Sequence, residues 1–150
     1  MVRPAELSDT AAVGRLLFDF NTEFDEPTPS HEELAVRVAE LLAGEDTVIL
    51  LAGDGPDGVA VLRFRLALWS KGSECYLAEM YVVPERRRQG LGKAMLEKAI
   101  EVARARGADS MDIGVDEPDV GARALYESFG FSNRTGEAPG DLMFFYEREL

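Results

Sequence analysis

Hydrophobic residues fall at helical spacing in four stretches of the chain, and in strand-like runs or alternation in five others. Ala12, Val13, Leu16, Leu17 and Phe20 form one helical stripe, and Ser8 or Asp9 just before it can cap the helix. Residues 21–29 hold two prolines among acidic side chains and read as a loop. Ser30 with Glu33 three positions on is a capping box, which predicts a second helix. Its inward residues are Leu34, Val38, Leu41 and Leu42, and Gly44 ends it. A third helix is predicted over residues 90–106, stopped by Gly107, and a fourth over residues 120–129.

The strands follow from the other pattern. Residues 48–52 are apolar, and residues 53–58 are a Gly/Asp/Pro turn. Over residues 59–69 the chain alternates, with Leu62, Phe64, Leu66 and Leu68 on one face and Arg63 and Arg65 on the other. Residues 75–83 return beside it. A strand over residues 110–115, with Met111, Ile113 and Val115 on one side, closes a strand–helix–strand unit. Such a unit implies a parallel pair buried on both faces. A last strand is expected over residues 142–148. The fold class is therefore α/β, an α+β mixed sheet that is mostly antiparallel with helices on both sides, in one domain over residues 1–150.

Composition narrows the function classes. The 150 residues carry 28 acidic and 16 basic side chains, a formal net charge of -12, which repels nucleic acid and anionic membranes. No apolar run reaches the ~20 residues that span a bilayer. The opening MVRPAELSD lacks a basic segment followed by an apolar core, so it does not read as a signal peptide. The single cysteine, Cys75, cannot form an internal disulfide, and a cytoplasmic location is expected. The charge is also unevenly placed. Residues 1–60 hold thirteen acids and three bases, whereas residues 86–106 hold seven bases and two acids. A cation site in the first part and an anion site in the second would both fit.

The anion site has a definite candidate. Between a predicted strand and the third helix lies Pro84-Glu85-Arg86-Arg87-Arg88-Gln89-Gly90-Leu91-Gly92-Lys93. Glycines lacking Cβ let backbone approach a ligand, a helix start leaves N–H groups unpaired, and three arginines stand beside them. Together these suit a pyrophosphate. A dinucleotide fingerprint does not fit, because Met95 stands where its third small residue belongs. A P-loop does not fit either, with Arg87 and Ala94 at its glycine and hydroxyl positions.

The run Leu77-Ala78-Glu79-Met80-Tyr81-Val82-Val83-Pro84, followed by Arg87-Arg88-Gln89-Gly90-Leu91-Gly92, resembles the acetyl-CoA signature of the GCN5-related N-acetyltransferases (GNAT). A second motif of that family is similar to Ala122-Arg123-Ala124-Leu125-Tyr126-Glu127-Ser128-Phe129-Gly130-Phe131, and Val2-Arg3-Pro4-Ala5 resembles the family's start. The resemblance implies a GNAT-like acyl-CoA N-acyltransferase fold and direct acetyl transfer from acetyl-CoA to a primary amine in a ternary complex, with no metal. It implies that the cofactor lies where two strands splay near Met80, held by Met80, Tyr81, Val82, Arg87, Arg88, Gln89, Gly90, Leu91, Gly92 and Lys93. Backbone N–H groups near Met80 to Val82 would serve as oxyanion donors. Glu79 is the implied base and Tyr126 the implied donor to the leaving thiolate, also touching the cofactor.

Two departures from the family pattern stand out. Gly114 occupies a second position where the family often has an acid, leaving Asp112 and Asp116 as weaker alternatives. Asp119 replaces a usual Asn on the cofactor side, losing a donor.

The acidic loop Glu23-Phe24-Asp25-Glu26 would bind a cationic acceptor, because the first two helices border the acceptor site in this family. A small cationic amine is the expected acceptor. A protein or peptide amine is the enzyme-class alternative, and a non-catalytic acyl-CoA-binding sensor the alternative of another class. A homodimer would suit the last strand. His31 has no catalytic or metal-ligand partners in the sequence, and Cys75 reads as a small buried hydrophobe.

Overall fold

The computed structural model describes all residues from Met1 to Leu150. They form two compact units, Met1–Ile113 and Gly114–Leu150. The first unit contains β1 (Val2–Pro4), α1 (Thr10–Glu23), α2 (His31–Ala43), β2 (Thr47–Ala52), β3 (Gly58–Leu66), β4 (Ser73–Val82), α3 (Leu91–Ala105) and β5 (Ala108–Ile113). The strands make one sheet in the order β1-β2-β3-β4-β5, antiparallel throughout except for the parallel pair β4–β5. The mixed, mostly antiparallel sheet is thus as expected. No helix is long and apolar enough to cross a membrane.

Alternation along the central strands sends side chains to two faces. Ile49, Leu51, Val59, Val61 and Tyr81 cluster with Val13 and Leu16 of α1 and Val38 of α2. The residues between them, Leu50, Ala60 and Leu62, are also fully buried, as are Met95, Leu96 and Ala99 of α3, which packs on the sheet. Strand burial on both faces needs a helix layer on each. Gly14 lets α1 and α2 come close, since a Cβ there would meet His31 O at 3.0 Å and Ala35 N at 3.1 Å.

Local signals placed the helix starts well. Ser30 accepts from the Glu33 N–H at 3.1 Å while Glu33 accepts from the Ser30 N–H at 2.8 Å, the expected capping box. Asp9 precedes α1 but makes no capping hydrogen bond to it; its carboxylate takes both Arg3 nitrogens instead, at 2.7 and 2.9 Å, tying β1 to the helix start.

Several expectations are corrected. α1 continues through Glu23, so residues 21–23 are helical; the break comes at Asp25, whose φ is 55°. β3 ends at Leu66 because its partner begins at Ser73, which leaves Leu66, Leu68 and Trp69 exposed rather than on a buried face. β5 spans Ala108–Ile113, so Val115 and Asp116 lie outside it. It is also the sheet's edge, with Ser110 and Asp112 exposed, so it is not buried on both faces.

In the second unit, α4 (Val120–Ser128) forms as expected. The strand over residues 142–148 does not. Only Leu142 pairs, with Arg134, and Phe144, Phe145 and Tyr146 are exposed. Alternation states which face a strand would show but not which backbone would accept its hydrogen bonds, and this segment has no strand beside it.

Candidate active site

β4 delivers the chain to the Arg/Gly loop. A 3₁₀ turn, Pro84–Arg86, follows the strand, Arg88 takes φ 61°, and Gly90 takes φ 86° as the N-cap of α3. Gly90 offers no capping side chain, and the N–H groups of residues 89–92 donate to no acceptor in the chain. A Cβ at Gly90 would meet no protein atom within 4 Å, so glycine is required by the left-handed backbone and not by crowding. Unpaired N–H groups at the positive end of a fifteen-residue helix are donors that could cradle an anion.

The charged side chains of this loop divide into two sets. Arg86 donates to Asp57 at 2.7 Å and to the Gln89 side chain at 3.1 Å, and Gln89 donates back to Glu85 O at 3.0 Å. Gln89 therefore braces the loop with its side chain. Arg87 donates to Glu23 at 2.7 Å and to Val82 O at 2.9 Å. Arg88 and Lys93, by contrast, are exposed and make no ion pair or hydrogen bond through their side chains. Leu91 and Gly92 form the first turn of α3.

β4 also carries the carboxylate. The β4–β5 ladder ends at Leu77 paired with Ile113, so residues 78–82 extend past it with no β5 partner. Glu79 sits in this stretch, is partly open to solvent, and its side chain makes no hydrogen bond or ion pair. Burial of its carboxyl raises its pKa above the ordinary value. Met80 and Val82 are half-buried. Tyr81 points into the α1–α2 core, stacked on Phe20 at 5.0 Å with its hydroxyl donating to Glu23 at 3.1 Å. Any contact from Tyr81 to a cofactor is left to its backbone.

The acidic segment is divided as well. Glu23 ends α1 and is paired, and the Arg87 guanidinium holds its carboxyl below the ordinary range. Phe24 is half-exposed and packs edge-on to Phe20, while Asp25 and Glu26 are exposed and form no ion pair.

In the second unit, Asp119 caps α4 by accepting from the Ala122 N–H at 3.1 Å. Tyr126 is 8% exposed, packs against Phe131, and uses its hydroxyl in no hydrogen bond. Burial first, and the negative charge of Asp119 second, push its pKa up to about 12. Gly114 and Asp116 lie outside strands.

Three features bear on other chemistries. Cys75 is fully buried and burial pushes its thiol up to about 11, so it is not poised as a nucleophile. No group of three His, Cys, Asp or Glu residues could hold a metal. A groove of about 260 Å³ between Asp46, Phe64, Ser73 and Arg106 lies by the C-terminal end of α3, the end opposite the loop.

Sequence reasoning missed Asp57 as a loop brace and Glu23 as the partner of Arg87. These contacts join residues 29 and 64 positions apart, and no local pattern encodes them.

Residues 12–131 match the Acetyltransferase (GNAT) family. The chain belongs to the GNAT acetyltransferase family. The match runs through β4, the loop, α3 and α4, so both motifs fall inside it. A mycothiol acetyltransferase from Beutenbergia cavernae is 35% identical over 104 residues, covering 67% of this chain and 33% of the relative. A thialysine N-epsilon-acetyltransferase from Bos taurus is 35% identical over 105 residues, covering 67% of this chain and 61% of the relative. The matched part is thus between a third and three fifths of the length of these relatives. A crystal structure described as an acetyltransferase, from Arthrobacter sp. FB24, is 47% identical with a TM-score of 0.91, covering 100% of this chain and 96% of that one. For this GNAT chain the α/β architecture and the family agree.

Proposed function

We propose that this GNAT chain transfers the acetyl group of acetyl-CoA to a primary amine of a small cationic molecule, directly and within a ternary complex. The observation that carries the reading is the cradle at the start of α3. The unbonded N–H groups of residues 89–92, with Arg88 and Lys93 unpaired beside them, suit the phosphates of CoA. Acetyl-CoA supplies the activated thioester.

Glu79 would take the proton that the amine loses as its nitrogen bonds to the acetyl carbon. An ammonium with an ordinary pKa near ~10 needs such a base at neutral pH. An unpartnered carboxylate whose pKa is raised is a better base than one held in an ion pair, and Glu79, though partly open to solvent, has no partner. As the carbon–sulfur bond breaks, Tyr126 would donate a hydrogen bond to the departing sulfur. With a pKa pushed up to about 12, the phenol stays protonated and serves as a donor more readily than as a full acid. Residues 78–82 have backbone groups on the edge that β5 leaves, which suits the acyl oxygen and the pantetheine arm. The inert Cys75 supports direct transfer over an acyl-cysteine route.

The acceptor class rests on charge. Asp25 and Glu26 are unpaired, and the first sixty residues hold thirteen acids against three bases. The relatives named for mycothiol and thialysine point to small molecules as well. Free-thiol release from acetyl-CoA with polyamines, aminoglycosides, amino acids and peptides tests the reading. Turnover with small amines and little with peptides is expected; thiol release with peptides alone would overturn the acceptor class.

A further inference from the structure

Arg87 does not face the cradle with its charge free. Its guanidinium is held by Glu23 at 2.7 Å and by Val82 O at 2.9 Å, and it lies over the Tyr81 ring at 5.6 Å. Tyr81 donates to the same Glu23 oxygen at 3.1 Å and stacks on Phe20 of α1. Three elements therefore meet in one knot: the end of α1, the end of β4 and the loop that leads into α3.

We propose that Arg87 is a positioning residue anchored by Glu23, and that the phosphates are left to the N–H groups of residues 89–92, Arg88 and Lys93. The proposal rests on the acetyl-CoA reading above. A planar guanidinium with one edge on a carboxylate, its Nε on a carbonyl and a face on an aromatic ring is fixed in orientation. Its charge is neutralised locally by Glu23, so it adds little net field at the cradle. A phosphate that drew the guanidinium out of this pair would leave the Glu23 carboxylate with the Tyr81 hydroxyl alone. Arg87 instead sets where the chain turns before Arg88, whose φ of 61° starts the turn into the cradle. Glu23 also lies two residues before Asp25, so the unpaired acids and the loop share one frame.

The test has a sign. If Arg87 positions the loop, Glu23→Gln weakens CoA binding by roughly tenfold, the size of one lost charge-assisted contact. Arg87→Gln does the same, and the double variant is no worse than either single one. If Arg87 is a phosphate ligand, Glu23→Gln frees it and CoA binds more tightly, which overturns the proposal. Calorimetric titration of the full chain with CoA reads both outcomes. Salt dependence gives an independent readout. The Glu23→Gln/Arg87→Gln double variant, which removes both charges of the pair, leaves the ionic-strength slope of CoA affinity unchanged, whereas Arg88→Gln flattens it; a slope flattened by the double variant contradicts the proposal. Tyr81→Phe removes only the hydroxyl and weakens CoA binding in the same direction, less strongly, should the charge variants fold poorly.

The ligand-free chain separates this proposal from the functional reading. The Arg87 Nε–H resonance should be protected in the wild type and lose protection in Glu23→Gln. If the wild type binds no CoA but this loss is seen, the functional reading fails and the anchor stands. If protection is unchanged by Glu23→Gln, the anchor fails.

Discussion

Val61 of β3 stands opposite Glu79 of β4, and the next pair along the ladder is Leu62 with Leu77, so Ala78 is an extra residue with no partner of its own. A bulge of this kind bends the strand and re-aims the side chains that follow it. Here it falls just where β5 stops pairing with β4, and Glu79 is the next residue. The strand thus delivers a carboxylate to an unpaired edge without giving it a cation.

Glu79→Gln is expected to lower the rate of acetyl transfer by about a hundredfold or more, the usual range for a lost general base. The acidic limb of the pH–rate profile, set by ionisation of Glu79, should disappear with it. Stability should move the other way. The folded chain holds this proton more tightly than the unfolded chain, so above the ordinary carboxylate range an ionised Glu79 costs stability. The variant should therefore melt higher than wild type near neutral pH, and the gap should close below the ordinary carboxylate pKa. Thermal melts across pH check the sign; a variant that melts lower near neutral pH would contradict it.

Tyr126→Phe keeps the buried ring and its contact with Phe131 while removing only the hydroxyl. Turnover should fall by about a hundredfold, while calorimetric CoA affinity changes little. Unchanged turnover removes Tyr126 from the chemistry.

Gly90→Ala places a Cβ in open space but at a φ of 86°, which costs an L-residue about 1–2 kcal/mol. The melting temperature should fall by only a few degrees, whereas CoA affinity should fall far more, because the methyl group enters the anion cradle. Equal CoA affinity would show that phosphates do not use this turn.

Asp119→Asn should leave stability nearly unchanged, since both side chains cap a helix equally well. Asp119→Ala should cost about 1 kcal/mol through the lost bond to the Ala122 N–H. The asparagine variant also restores a donor, so tighter CoA binding is expected from it. Melting curves and CoA titrations of the pair check both points.

Features with a local cause were legible in the sequence. The Ser30–Glu33 box and the helix stop at Gly107, whose φ is 80°, each depend on neighbours within a turn, and each was found where the residues indicated. The two motifs of the GNAT family were legible for the same reason, because a cradle at a helix start is a short-range object. What was hidden depends on distant partners. Nothing near Glu23 announces Arg87, and nothing near Leu142 states whether a strand lies beside it. Leu68 and Trp69 look like strand interior until the end of the partner strand is known. The bulge at Ala78 is likewise a property of two strands, and it decides the direction of Glu79.

The claim that the acetyl group passes directly from acetyl-CoA to an amine is tested most directly by initial rates with both substrates varied, using the best amine found. The account predicts lines that intersect in the double-reciprocal plot, because both substrates must be bound before either product leaves. Parallel lines, the mark of an acetylated enzyme, would contradict it.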